Sequence, residues 1–166
     1  MSVIRPATAQ DVPVILQMIH DLAIYEKEPD AVRNTPERLA EALFGENPRV
    51  FATMAENTAG LVQGFALWFL NYSTWEGVHG IYLEDLYVSP DARGEGHGKA
   101  LLQHLAATAV DNGYARVEWS VLDWNEPSIN FYRNLGAFPM DGWSTFRLTG
   151  PELEHFGSNA PAVIHG

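Results

Sequence analysis

The spacing of apolar positions changes several times along the chain, and each change marks an element. Val12, Ile15, Leu16, Ile19 and Ala23 recur at the three-and-four spacing of one helix face, which predicts a helix over residues 9–26. Thr8-Ala-Gln-Asp11 precedes that stripe as a capping-box-like start, with Asp11 in place of the usual Glu. Thr35-Pro36-Glu37 opens a second helix with proline in its first turn, and Gly45 stops it. Val3-Ile4-Arg5 reads as a short first strand. Residues 50–55 and 61–70 read as a hairpin turning through Asn57, Thr58 and Gly60. A fourth strand covers 78–88, and Leu101, Leu102, Leu105 and Ala109 place a helix over 97–111, stopped by Asn112-Gly113. Ala115, Val117, Trp119 and Val121 alternate with Arg116, Glu118 and Ser120, a half-buried strand. Asn125-Glu-Pro-Ser opens a short helix that ends at Leu135-Gly136, and 145–148 reads as a closing strand. An antiparallel run followed by β-α-β-α-β predicts an α/β protein whose central mixed, mostly antiparallel sheet is flanked by helices. A Rossmann domain would alternate strand and helix from the start.

Composition narrows the function classes. No repeat, low-complexity stretch or linker interrupts residues 1–166, so a single domain is expected, with a loose tail over 158–166. A net charge of −11 argues against a nucleic-acid backbone as partner and favours a cationic small molecule. The absence of cysteine removes disulfides, thiolate metal sites and cysteine nucleophiles together. No signal-like segment opens the chain, and the longest strong apolar run, Phe65 to Leu70, is far too short to span a bilayer. A soluble, cytoplasmic protein with no membrane partner is the expectation. The six histidines are scattered without zinc-like spacing, so no metal site is expected. His155 and His165 are placed in a frayed C-terminal stretch.

The richest chemistry lies between the fourth strand and the helix after it. Val88-Ser-Pro-Asp-Ala-Arg93-Gly94-Glu95-Gly96-His97-Gly98-Lys99 is a glycine-rich turn leading into a helix N-terminus, where free amides suit a phosphate. A P-loop would need glycine at Arg93 and Ser or Thr at Ala100; a dinucleotide fingerprint beginning at Gly94 would need glycine at Lys99. What fits is Arg-x-x-Gly-x-Gly over Arg93 to Gly98. Downstream, Trp124-Asn-Glu-Pro-Ser-Ile-Asn-Phe-Tyr132 leads to Gly136, an Asn-x-x-Ser-x-x-Phe-Tyr-x-x-x-Gly pattern.

These two stretches, in this order and on these elements, resemble the signatures of the GNAT superfamily of N-acetyltransferases. Leu83-Glu-Asp-Leu-Tyr-Val88, Val3-Ile-Arg-Pro-Ala-Thr8, Leu22-Ala-x-Tyr25-Glu26, Trp75 and Gly142-Trp143 extend the likeness over nearly the whole chain. They are closest to the spermidine/spermine (diamine) and thialysine acetyltransferase subgroup. Met140-Asp141 stands where that subgroup has two glutamates, and Ser144 where a basic residue often follows the tryptophan.

The resemblance implies a cosubstrate, an acceptor and roles. Acetyl-CoA would lay its pyrophosphate over Gly94, Gly96 and Gly98, with Arg93 or Lys99 adding positive charge. Its pantetheine would pair with the backbone of Leu86, Tyr87 and Val88 like an extra strand, and Asn125 would cap its helix or touch the ligand. Tyr132 would protonate the departing thiolate, since a phenol keeps its proton at neutral pH. For deprotonating the amine the candidates are Glu84 and Asp85. Adjacent strand residues face opposite sides, so both reach the substrate only if a bulge intervenes; in the subgroup the glutamate is the proposed base, through water. Tyr25, Glu26, Trp75 and Asp141, with Glu84 and Asp85, would line the channel for a polyamine, diamine or lysine-like acceptor. A protein amine, an aminoglycoside, or a non-catalytic acyl-CoA-binding module are the competing readings. The resemblance also implies a homodimer.

Overall fold

A computed structural model of the protein describes residues 1–164, and the chain groups into two compact units, Met1–Trp124 and the segment from Asn125 onward. In the first unit β1 (Val3–Pro6) leads through a 3-10 turn at Ala9–Asp11 into α1 (Val12–Tyr25). Then come α2 (Pro36–Phe44), β2 (Phe51–Glu56), β3 (Val62–Ser73), β4 (Val78–Val88), α3 (His97–Asp111) and β5 (Val117–Trp119). The strands form one five-stranded sheet in the order β1-β2-β3-β4-β5. Pairs along it are antiparallel up to β4, and β5 joins β4 in parallel, so the sheet is mixed as expected.

The start of α1 shows why that helix sits where it does. Asp11 accepts from the Thr8 amide at 2.7 Å, completing the capping box with a shorter acid than usual. The same carboxylate takes a two-pronged contact from Arg5 at 2.7 and 2.9 Å, and Arg5 also binds Glu56 on β2. The guanidinium contact holds the Asp11 carboxyl below its usual range, with the Thr8 amide adding to it. Beneath it, Ile15 and Met18 of α1 pack with Leu39 and Leu43 of α2 and Met54, Phe65, Leu67 and Tyr87 of the sheet. Burying a side chain such as Ile15 or Phe65 contributes about 1.5–3 kcal/mol, so this core fixes the end of α1 against β4.

The second unit holds α4 (Glu126–Asn134) and α5 (Gly150–Ser158). Two expectations are corrected here. Residues 145–148 form no strand, and a helix follows them. Four alternating residues become a strand only where a partner edge accepts their backbone hydrogen bonds, and none pairs with them among the described residues. His155 is not in a frayed stretch but inside α5, where its carbonyl accepts from Ser158 Oγ at 2.7 Å and Asn159 Nδ2 at 2.9 Å. Pro151 and Glu152 in the first turn are the start signals for this helix. His165 lies outside the described residues. No described helix is long and apolar enough to cross a membrane.

Candidate active site

β4 changes partners halfway along its length. Ile81, Tyr82 and Leu83 pair with Val117, Glu118 and Trp119 of β5. Beyond Leu83 no strand joins that edge among the described residues, while the opposite edge stays paired with β3 as far as Gly64↔Val88. Ser89 donates to Gln63 of β3 at 2.8 Å. Successive amides of a strand alternate between its edges, so the N–H groups of Leu86 and Val88 point to the open edge. An extended amide-bearing ligand can continue the sheet there.

The changeover coincides with a bulge. Leu67 pairs with Asp85 and Trp68 with Leu83, which leaves Glu84 as the extra residue. The insertion removes the opposition of adjacent side chains that a regular strand imposes. The pattern carries a trace of it: the aliphatic positions Ile81 and Leu83 have one parity, Leu86 and Val88 the other.

Around the bulge three carboxylates sense one another. Asp85 is pushed up from its usual 3.8 to about 6, first by burial, then by the charges of Glu84 and Glu26. Glu26, just past the end of α1, is raised as well, by burial and then by Glu84. Such a cluster attracts cations, and Asp85 within it keeps its proton to a higher pH than an ordinary carboxyl does.

The glycine loop begins where the open edge ends. Gly94 and Gly96 have φ of +86° and +89°, the left-handed region that disfavours side chains, and nothing lies within 4 Å of where a Cβ would stand on either. The space above them is open. A Cβ on Gly98 would meet only Val88 Cγ2, at an ordinary 3.7 Å. Arg93 is committed locally: its Nε donates to Val88 O at 3.1 Å, and its guanidinium lies 5.2 Å from the Tyr25 ring and 5.9 Å from that of Tyr87. Arg93 therefore ties the loop to the end of α1 and β4, a part that spacing alone did not reveal. Lys99 is exposed in the first turn of α3. Tyr25 packs 6.0 Å from Trp124, whose ring also takes the Lys27 ammonium at 4.3 Å.

Not every expected channel residue joins this group. Trp75 sits in the β3–β4 turn, 88% exposed. The stretch of strand from Val78 to Glu84 alone spans roughly 20 Å, so within one chain Trp75 stands far from the carboxylates. In the second unit, Asn125 Oδ1 accepts from the Ser128 amide at 3.4 Å and caps α4. Tyr132 lies on α4 with its ring 5.6 Å from that of Phe131, and Asp141 lies in an exposed turn beyond the helix. Among the described residues no group of three His, Asp or Glu side chains gathers to hold a metal ion.

Gly64 is a site residue that motif reading missed. A Cβ there would stand 2.5 Å from Tyr87 O and 3.2 Å from Val88 Cα, so only glycine lets β3 and β4 close up beside the open edge. Its signal was a glycine inside an apolar strand run, which marks close backbone approach. Gly64→Ala is expected to cost about 1–3 kcal/mol of stability. Any ligand that extends the sheet along that edge should bind more weakly as well, because Val88 is displaced. Denaturant melts and calorimetry on the same sample check both, and unchanged values would show that β4 absorbs the methyl group.

Comparison with known proteins gives the family. The Acetyltransferase (GNAT) family matches residues 15–137. The thialysine N-epsilon-acetyltransferase of Sus scrofa is 38% identical over 160 residues, covering 90% of this chain and 94% of that protein. The L-ornithine N5-acetyltransferase of Arabidopsis thaliana is 32% identical, covering 91% of this chain and 86% of the other. Among solved structures, an integron cassette protein from the mobile metagenome of V. cholerae superposes with a TM-score of 0.79 at 25% identity, covering 95% of this chain and 98% of the other. With sheet, open edge, glycine loop and family match in agreement, the chain belongs to the GNAT family and is an acetyl-transferring enzyme.

Proposed function

We propose that the enzyme moves the acetyl group of acetyl-CoA to a primary amine of a small cationic acceptor, a polyamine, a diamine or a lysine-like amino acid. The observation that carries this reading is the carboxylate group Glu26, Glu84 and Asp85 beside the open edge of β4. The edge offers amides to an extended thioester, and the carboxylates offer negative charge to an ammonium. Relatives named for the Nε amine of thialysine and the N5 amine of L-ornithine support a side-chain amine as the nucleophile.

The steps follow from these groups. Pantetheine extends the sheet along Leu86 to Val88, and the pyrophosphate lies over Gly94 to Gly98. The ammonium gives its proton to the Glu84–Asp85 pair, directly or through water. The amine lone pair then attacks the thioester carbon, while the amide of Leu86 or Val88 donates to the oxygen that gains charge. The C–S bond breaks, the thiolate takes the proton of Tyr132, the nitrogen gives up its second proton through water to the phenolate so formed, and the new amide and CoA leave. We further propose that Asp141 and Trp75 contact the acceptor within a homodimer and that the enzyme works in the cytoplasm, on the strength of the subgroup resemblance.

A CoA-release assay with spermidine, putrescine, thialysine, lysine, tobramycin and a peptide N-terminus tests the acceptor class. Turnover is expected with the small amines, with an amine KM that climbs with salt more steeply than the KM of acetyl-CoA. Glu26→Gln should raise amine KM about 1.5-fold to fivefold, the range of one exposed or half-exposed charge contact. Turnover of the peptide alone would overturn the small-amine reading and leave acetyl transfer intact.

A further inference from the structure

The pyrophosphate loop carries an acid in the wrong place for its ligand. Glu95 stands between the two positive-φ glycines, so its carboxylate shares the neighbourhood of the open space above them. Two like charges so placed repel, and a free Glu95 would oppose the phosphates that the loop amides attract. The structure gives this carboxylate a partner. His97, 1% exposed at the start of α3, contacts Glu95 Oε2 through Nε2 at 3.2 Å. A carboxylate only accepts, so Nε2 carries the hydrogen. The other ring nitrogen, Nδ1, lies 2.7 Å from Ser2 Oγ, at the far end of the first unit's sequence. A hydroxyl can donate or accept, so it suits Nδ1 in either state. The ring is thus fixed from both sides, by Ser2 next to β1 and by the loop it serves.

We infer that His97 is a positioning residue that draws the Glu95 carboxylate aside from the pyrophosphate site, with Ser2 holding the imidazole in register. This rests on the placement of acetyl-CoA proposed above. It predicts that the harm done by losing His97 comes from Glu95 and not from lost packing. Leucine fills much of the imidazole volume without either hydrogen bond.

Calorimetry of acetyl-CoA binding to the full chain provides the test. His97→Leu is expected to weaken binding about tenfold, the equivalent of about 1.4 kcal/mol, and the loss should shrink as salt screens the repulsion. Adding Glu95→Gln to His97→Leu should restore affinity to within about twofold of the parent. A double variant as weak as His97→Leu alone, or a His97→Leu protein that binds normally, overturns the inference. Should His97→Leu fail to fold, Ser2→Ala takes its place, with a loss of about threefold that Glu95→Gln cancels; no loss, or an uncancelled one, overturns it equally. Wild-type protein without affinity for acetyl-CoA would instead overturn the placement of the cosubstrate, and the role of His97 with it.

Discussion

Asp85→Asn is expected to make the protein more stable at neutral pH and a far poorer enzyme. The stability sign follows from the raised carboxyl. Asp85 titrates at about 6 when folded against its usual 3.8, so the folded state holds that proton more tightly than the unfolded chain does. Below the usual value both states are protonated and the group costs nothing; as pH rises through about 6 the folded state bears the full penalty. Removing the charge should recover on the order of 1–3 kcal/mol at pH 7.5, part of it offset by the new amide's own packing. The gain should vanish near pH 4. The kinetic sign is opposite, because the amine loses its proton acceptor and kcat should fall about 10²–10⁴-fold. Glu84→Gln separates the members of the pair. Its charge helps to raise Asp85, so its removal should move the acidic limb of the pH profile to lower pH, whereas Asp85→Asn should abolish that limb. An acidic limb lost in Glu84→Gln and kept in Asp85→Asn would transfer the base role to Glu84.

Tyr132→Phe is expected to lower kcat by about 10²–10⁴ while acetyl-CoA affinity and the melting temperature change little. The substitution removes one hydroxyl from a helix already capped by Asn125 and terminated at Gly136, where φ is +95°. Rates with saturating amine and cosubstrate decide it, and acceptors of graded basicity add a second readout. Without an acid the C–S bond breaks to a bare thiolate, so a thioester of a more acidic thiol should recover part of the rate. Full activity in Tyr132→Phe would mean that water protonates the leaving group.

Local patterns were the readable part of this chain. The stripe of α1, the glycine loop and the Phe131-Tyr132 stretch each lie within a few turns of backbone, and steric and capping rules act at that range. Glu84 and Asp85 were legible as candidates, but their relation was not, because a bulge is a property of two strands in register and Leu67 and Trp68 supply the other half of it. Arg93 read as a charge for the ligand; its tie to Val88 O and the Tyr25 ring depends on how α1 returns to β4. The strand expected over 145–148 failed for the same reason in reverse, since alternation describes a segment and pairing needs a partner. Trp75 was legible as a motif position, but its place at the exposed turn between β3 and β4, well along the strand from Glu84, is set by the hairpin register.

The half-paired β4 has a consequence for the life of the protein in a cell. A strand edge without a partner is a template for unwanted pairing with other chains, and among the described residues no strand covers β4 beyond Leu83. Acetyl-CoA seated along Leu86 to Val88 would cover it. Ligand at a hundred times its Kd would also stabilise the fold by about 2.7 kcal/mol. The concentration of cosubstrate would then bear on how long each folded copy survives as well as on how fast it turns over.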